Sequence, residues 1–134
     1  MDGVAAVRAV LIADAELLAM VPAGRVMGGI LPMGFSLPAI EIVSISKVNL
    51  KLLELEPTRM VTERVQVNGY AADYPAMKAL MEAIERAGEQ LYPEIAGISS
   101  VTIQGDGTGP DDLLDGPSIY LGSQDFKVIY TKAR

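Results

Sequence analysis

The hydrophobic pattern between residues 60 and 91 changes its period once, and this change constrains the fold more than any other feature of the chain. From residue 60 to residue 70 apolar and polar side chains alternate, as in a strand with one buried face. After Asp73, an N-cap residue type, apolar side chains recur at helical spacing up to Pro93. The alternating strand buries Val61, Val65 and Val67, and the helix buries Met77, Leu80, Met81, Ile84 and Leu91. The sequence therefore predicts a strand that leads directly into an amphipathic helix.

A long antiparallel hairpin is predicted upstream of this helix. Residues 39–46 are rich in β-branched side chains and carry apolar groups on both faces, as a central strand does. The alternation continues beyond residue 46 but changes phase at Leu53, which indicates a bulge or a change of element. Residues 60–70 form the returning strand. The tip of the hairpin, residues 47–59, is expected to project from the body.

The remaining segments complete the fold prediction. Residues 4–20 are rich in alanine, have helical spacing and are followed by Pro22, so they predict a first helix. Residues 99–104 and 125–131 alternate and predict two final strands. This order predicts a single domain over residues 1–134 with an α+β fold. We expect a mainly antiparallel sheet of four to five strands, two helices on one face and the projecting hairpin.

The segment from Pro22 to Pro38 is unusually apolar for a predicted loop. Arg25 is its one charged residue, and the segment holds three prolines and four glycines. Its apolar side chains are Val26, Met27, Ile30, Leu31, Met33, Phe35 and Leu37. Two interpretations that do not exclude each other remain open: the segment folds back over the core, or it packs against a neighbouring subunit. Because half of the chain is apolar and a domain of this size buries only about two-thirds of its unfolded surface, we expect an oligomer.

The composition excludes several classes of site. The chain has no cysteine and no histidine, so disulfides, thiol nucleophiles, zinc fingers and serine–histidine triads are excluded. With 17 acidic and 11 basic residues and a net charge of −6, it is not expected to bind nucleic acid specifically. No apolar run approaches the roughly 18 residues that a membrane span requires, and the first residues lack the basic start of a signal peptide. We expect a soluble, unexported chain.

A glycine- and aspartate-rich segment, residues 105–117, is the one place that suggests a ligand site. It lacks the third glycine of a dinucleotide loop and the Lys-Ser/Thr of a phosphate loop. Counted from Asp106 as an EF-hand, it has Pro117 where a bidentate glutamate is required. A weak calcium site built from its four aspartates stays open. The favoured interpretation is a solvated loop that is mobile in the free protein and orders on a partner, so no metal and no cofactor are predicted.

Acid–base catalysis would have to use carboxylates or tyrosines. Glu41 and Glu63 lie within strands and could face each other across the hairpin. A glycosidase, however, needs a large cleft around its two acids, and a chain of 134 residues with no tryptophan offers little sugar-binding surface. We therefore predict that the protein is not an enzyme.

Several segments, taken together in order and spacing, resemble the tail terminator, or tail completion, proteins of long-tailed bacteriophages and phage-like gene-transfer particles. The resemblance extends from the first helix almost to the end of the chain. It is carried by DAELLAMV at 14–21, GRV at 24–26, LPAI at 37–40, RVQVNGYAAD at 64–73 and SQDFKVIY at 123–130. None of these segments is a catalytic signature; each is a hydrophobic pattern with a few polar positions.

The resemblance implies a structural virion protein. It would form a ring, typically a hexamer, on the head-proximal end of the tail tube, stop tube polymerisation and dock the head connector. Its implied partners are other copies of itself, the tail tube protein and the head–tail connector or neck protein, while DNA passes through the lumen without specific binding. The implied location is the tail of the particle, assembled in the cytoplasm of the bacterial host, with no membrane association.

Subunit or partner contacts are predicted at the apolar loop, the hairpin tip and the acidic segment. The predicted contact residues are Ile30, Leu31, Met33, Phe35, Leu50, Leu52, Leu53, Leu55, Asp106, Asp111, Asp112 and Asp115. Two alternatives stay open. One is another neck or tube component of the same kind of particle; the other is a small α+β ligand-binding or enzymatic domain in which residues 22–38 cover an apolar pocket.

Overall fold

The structure is a computed structural model, and it describes residues 2–29, 36–49, 58–91, 93–114 and 119–133. Three α-helices and seven strands occur in these ranges. The helices are α1 (Gly3–Ile12), α2 (Ala15–Met20) and α3 (Tyr74–Gly88). The strands are β1 (Val26–Gly28), β2 (Ala39–Asn49), β3 (Thr58–Ala71), β4 (Gln90–Leu91), β5 (Ser99–Thr108), β6 (Asp112–Leu114) and β7 (Ile119–Ala133).

The seven strands form one sheet, with the order β1-β2-β3-β7-β5-β4 and with β6 paired to β7. Only the β1–β2 pair is parallel. The predicted α+β fold with a mainly antiparallel sheet is therefore confirmed. The four long strands correspond to the predicted ones, whereas the three short strands, β1, β4 and β6, were not predicted. They contain only two or three residues each, which is too short for a period to show.

Two predicted helix boundaries are wrong. The single helix over residues 4–20 is two helices, because Asp14 leaves the helical conformation and its carboxylate accepts a hydrogen bond from the backbone N–H of Leu17 at 2.9 Å. An aspartate that caps a new helix in this way ends the preceding one. At the other boundary, α3 ends at Gly88 instead of reaching Pro93. Leu91, assigned to the helical stripe, belongs to β4 and pairs with Thr102.

Two segments predicted as loops contain strands. Residues 26–28, within the predicted loop 22–38, pair in parallel with residues 40–42 of β2. In the glycine- and aspartate-rich segment, β5 continues to Thr108 and residues 112–114 form β6. In β5, Gly105 allows the strand to pass close to the side chain of Glu89, because a Cβ atom on Gly105 would lie 2.6 Å from Oε1 of Glu89.

The hairpin is shaped by a bulge in β2. The register of the β2–β3 pair shifts between Ser44 and Ser46, so the side-chain alternation changes phase near residue 45. The phase change predicted at Leu53 lies outside the described residues. Past the bulge, Lys47 pairs with Glu63 and Val48 pairs with Thr62, so β2 and β3 continue as a regular ribbon.

The helices cover one face of the sheet. Gly69 of β3 and Gly122 of β7 are opposite each other, and a Cβ on either would lie under 3 Å from atoms of Met81 in α3. The core beneath the helices is built around Phe126 and Tyr130, both fully buried. The opposite face of the sheet carries residues such as Arg64 and Asp125, which form an ion pair across β3 and β7. No helix in the described part of the chain is long and apolar enough to cross a membrane.

Candidate functional site

Most of the predicted contact residues cannot be compared with the structure. Those that lie outside the described residues are Ile30, Leu31, Met33, Phe35, Leu50, Leu52, Leu53, Leu55 and Asp115. Asp106 lies on β5 and Asp111 precedes β6, and both are exposed. Asp112 is the first residue of β6 and pairs with Leu121. The predicted contacts at these three aspartates remain predictions.

Asp111 has partners within its own chain. Its carboxylate accepts a hydrogen bond from the hydroxyl of Tyr74 at 2.8 Å and lies 3.6 Å from Nζ of Lys78. The ammonium of Lys78 also lies 5.7 Å from the centre of the Tyr74 ring. The hydrogen bond to Asp111 is the main reason why the pKa of Tyr74 is raised. The acidic segment is therefore joined to the first turn of α3 at this residue.

The end of the β2–β3 hairpin carries exposed apolar side chains. We define the hairpin end as residues 45–49 of β2, 58–62 of β3 and 129–133 of β7, which are hydrogen-bonded neighbours. Ile45, Val48 and Met60 are 47%, 63% and 47% exposed, and they are three of the four large apolar side chains that are exposed among the described residues. Val48 lies opposite Thr62, and Met60 precedes Thr62 by two residues, so all three side chains are on the same face of the sheet. The hairpin end therefore presents an apolar patch to solvent.

These three residues were absent from the predicted contact residues. The available signal is the apolar character of both faces of residues 39–46, which predicts a central or doubly covered strand. Near its start β2 is buried, since Ile40 and Ile42 have no exposed surface. Beyond the bulge the ribbon still buries Val61 and Glu63 on one face, while its other face, which carries Val48 and Met60, is not covered by the helices.

The hairpin end also carries cations. Arg59 and Lys132 are cross-strand neighbours on β3 and β7, and Lys127 lies farther along β7. None of the ion pairs found among the described residues involves any of these three side chains. Lys47 differs, because its Nζ lies 3.8 Å from Oε1 of the buried Glu63. Positive charge is thus concentrated here in a chain whose net charge is −6.

Glu63 is a structural carboxylate with no exposed surface. Its Oε1 accepts hydrogen bonds from the backbone N–H of Gly3 and from the hydroxyl of Tyr130, each at 2.9 Å. A Cβ on Gly3 would lie 2.8 Å from Cδ of Glu63, so only glycine admits this contact. A buried charge requires such partners, and the first turn of α1 adds a favourable dipole. Burial, followed by the hydrogen bond to Glu63, raises the pKa of Tyr130.

Glu41 and Glu63, which could have faced each other across the hairpin, do not do so. Glu41 lies opposite Asn68, whereas Glu63 lies opposite Lys47 on the helix-covered face. The carboxylate of Glu41 accepts hydrogen bonds from Nδ2 of Asn68 at 2.9 Å and from the hydroxyl of Tyr70 at 3.2 Å. Burial and this carboxylate raise the pKa of Tyr70 to about 12. Both carboxylates are held by neighbours in the core, and they do not form a catalytic pair.

An apolar cavity of about 250 Å³ opens at the junction of β3 and α3. It is lined by Met20, Leu37, Pro38, Ala71, Ala72, Ala76 and Leu80. Ligand pockets usually measure roughly 300–1,000 Å³ and hold a few convergent polar groups, which this lining lacks. In the part of the chain that the structure describes, no acidic side chains are grouped in a way that could hold a metal ion.

Comparisons with known proteins identify the family. No curated protein matches the sequence. A chain in a solved structure described as the virion of a native gene transfer agent particle has the same fold, with a TM-score of 0.62 at 14% identity over 93% of this chain and 91% of that chain. The family model described as tail completion protein gp17 matches residues 5–131. Because this match covers nearly the whole sequence, the chain belongs to the tail completion protein gp17 family.

Proposed function

We propose that this protein forms a ring on the head-proximal end of a tail tube, where it stops tube polymerisation and provides the docking surface for the head connector. Membership of a tail completion family supports a structural role in a virion tail. The shared fold with a gene transfer agent virion chain is consistent with this role. The ring is proposed to be a hexamer through which DNA passes without specific binding.

The observation that carries this proposal is the hairpin end. The ribbon exposes Ile45, Val48 and Met60. A protein that covers these side chains lowers the free energy of the complex, because each Å² of buried apolar surface contributes roughly 25 cal/mol of stabilisation. Free strands of this kind tend to pair with other chains. A contact between this end and either a neighbouring subunit or the tube supplies that cover, which is what a ring-forming cap requires.

The acidic segment is proposed to meet the connector. Asp106 and Asp111 are exposed, and surface charges of this kind govern the rate and salt dependence of docking. Exchange of Asp111, Asp112 and Asp115 for asparagine should slow head–tail joining and leave ring formation intact. Unchanged joining would exclude the acidic segment from docking.

The proposed function can be tested by measuring tail length and head joining in particles that lack the protein. Loss of a cap gives overlong tails without heads, seen by electron microscopy, because nothing stops the tube from growing. Re-supply of the protein should restore tails of uniform length that join heads. Tails of normal length in its absence would contradict the proposal; if heads still failed to join, a different neck component would be indicated.

The ligand-binding alternative has one observation in its favour, the apolar cavity beside Leu37 and Pro38. If the cavity were a binding site, calorimetric titration of the natural chain with a small apolar ligand such as benzene should show saturable binding. The proposed structural role predicts no such binding by the natural chain, and it predicts that Leu80→Ala lowers tube capping only as far as it lowers the folded fraction.

A further inference from the structure

We propose that the ring closes through charge pairing between the hairpin end of one copy and the outer face of α3 in the next copy. The inference rests on the ring of the proposed function and adds the two surfaces that meet. The occupant of the hairpin end is therefore a second copy of this chain. The proposal follows from the charged side chains that have no ion-pair partner in the part of the chain that the structure describes.

The uncompensated cations lie on two neighbouring strands. Arg59 and Lys132 are directly opposite each other, and no ion pair among the described residues includes them. Nε of Arg59 is buried and has no hydrogen-bond partner within the described residues. A buried donor without a partner is unfavourable, and a carboxylate from another chain near the guanidinium would reduce this penalty.

The uncompensated anions lie on the outer face of α3. Glu82 and Glu85 are exposed and are separated by three residues, so they are neighbours along the helix surface and repel each other. Glu89, also exposed, follows the helix as its C-cap in an extended conformation. The cations on the same helix are engaged elsewhere. Lys78 pairs with Asp111 at 3.6 Å, and Arg86 lies 3.4 Å from Asp14 and 3.3 Å from Glu16.

A shallow cleft gives this acidic face a shape as well as a charge. The cleft, of about 130 Å³, has charged residues from α3 and from the acidic segment in its lining, which consists of Lys78, Met81, Glu82, Glu85, Thr108, Gly109, Asp111, Gly122 and Ser123. It is far smaller than a typical ligand pocket of roughly 300–1,000 Å³. Because Lys78 pairs with Asp111, Glu82 and Glu85 leave the lining with a net negative charge, which suits the end of one long cationic side chain.

A second copy is favoured because the two surfaces complement each other within one sequence. The cationic hairpin end and the anionic helix face are separate patches, so a contact between them is head-to-tail and generates a ring when the rotation closes. Opposite charges set the register of this contact and exclude wrong partners. Val48 and Met60 lie on the opposite face of the ribbon from Arg59 and Lys132, so their apolar area is separate from this contact.

Cysteine cross-linking tests the geometry, because the natural chain has no cysteine. A Lys132→Cys, Glu85→Cys chain, treated with a flexible bis-maleimide in the presence of tail tubes, should give a ladder of multimers on a denaturing gel. A mixture of the two single variants should stop at dimers, since each carries one reactive end. The matched control pairs Lys132→Cys with Glu94→Cys, an exposed glutamate away from α3, and should give no ladder. Equal ladders from both pairs, or none from either, would overturn the proposal.

A charge exchange tests the electrostatics. One chain carries Arg59→Glu and Lys132→Glu, and the other carries Glu82→Lys and Glu85→Lys. Each alone should show a several-fold loss of tube-bound protein in sedimentation, and an equal mixture should recover it, because every contact then joins opposite charges. Circular dichroism checks that each is folded. Glu94→Lys, at an exposed position away from both surfaces, changes the net charge of the chain by half as much as the α3 exchange and should bind normally.

Failure of this inference can be separated from failure of the proposed function. If both reversed chains cap tubes as the natural chain does, or if their mixture stays inactive, the two surfaces do not meet, yet capping stands. If the reversed chains still form closed rings but no longer bind tubes, the surfaces face the tube and the inference is wrong. If the natural protein does not limit tube length, the proposed function itself fails.

Discussion

The helix-covered body and the hairpin end of the same sheet differ in the exposure of their apolar side chains and in the partners of their charged groups. In the body, carboxylates have internal partners: Asp2, Asp14 and Asp73 cap helices, and Glu63 accepts two hydrogen bonds from Gly3 and Tyr130. At the hairpin end, Val48 and Met60 are exposed and Arg59 has a buried nitrogen without a partner among the described residues. Oε2 of Glu63 and Oε1 of Gln124 in the body are also buried without a hydrogen-bond partner among the described residues. The two regions therefore differ in their exposed apolar side chains and in their cations, which give the hairpin end the character of a surface that another chain covers.

This difference separates the residues that maintain the fold from those that the proposed assembly uses. Substitutions in the body should lower the free energy of unfolding, and substitutions at the hairpin end should leave it almost unchanged while assembly is lost. The predictions below run from the largest expected change in stability to the smallest.

Glu63→Ala should lower the free energy of unfolding by about 3–5 kcal/mol, as the removal of one partner from a buried charged cluster does. The substitution leaves the N–H of Gly3, the hydroxyl of Tyr130 and the ammonium of Lys47 without their acceptor. Urea denaturation measures the change. Glu63→Gln is the matched control, because its amide oxygen still accepts hydrogen bonds, and it should lose less; equal losses would show that the acceptor contributes little.

Gly88→Ala should lower the free energy of unfolding by about 1–3 kcal/mol through overpacking. A Cβ at this position would lie 2.3 Å from Cζ of the buried Phe126, so the ring or the helix end must shift. Thermal unfolding measures the loss. Gly24→Ala, which has no heavy atom within 4 Å of its added Cβ, should be nearly neutral, and a comparable loss there would contradict the packing explanation.

Tyr70→Phe should lower the free energy of unfolding by roughly 1 kcal/mol at neutral pH, the usual effect of one lost hydrogen bond. It should also change the alkaline pH dependence. The pKa of Tyr70 is about 12 when folded and about 10 when unfolded, so above pH 10 the unfolded tyrosine releases its proton first and stability falls as pH rises. Denaturation at about pH 9 and about pH 11 should give a smaller difference for the Phe variant; an unchanged difference would assign the fall to other groups.

Val48→Thr with Met60→Thr should change the free energy of unfolding by no more than about 0.5 kcal/mol, because exposed sites away from the core contribute little. Threonine also keeps the preference for a strand. Urea denaturation measures this change. A loss comparable to that of Gly88→Ala would show that the hairpin end stabilises the fold, and the contrast between the two regions would disappear.

The parts of the fold that the sequence predicted correctly are those where one local period decides the structure. The alternation of Val61, Val65 and Val67 placed β3, and all three are buried as expected. Asp73 was correctly identified as the N-cap of α3, since its carboxylate accepts from Ala76 N–H at 2.8 Å. In both elements the information lies within a few neighbouring residues.

The parts that could not be predicted depend on residues far apart in the chain. The alternation of β3 places Glu63 on the inward-facing side of the strand. Its hydrogen-bond partner Gly3, however, is 60 residues away in the chain, so no neighbouring residue indicates that a charged side chain is buried there. The short strand β1 forms because β2 offers an edge to it. The exposed patch of the hairpin end likewise emerges only when the bulge and the extent of the helices are known.

The most direct test of the contrast between body and hairpin end is the length of tail tubes grown in the presence of the Val48→Thr, Met60→Thr chain. Tubes are assembled from tail tube protein with the natural chain, with this variant, or with Ala72→Thr, an exposed position immediately after the other end of β3. Their lengths are measured by electron microscopy. The account predicts short, capped tubes with the natural chain and with Ala72→Thr, and overlong, uncapped tubes with the folded hairpin variant. Uniformly short, capped tubes with the hairpin variant would contradict it.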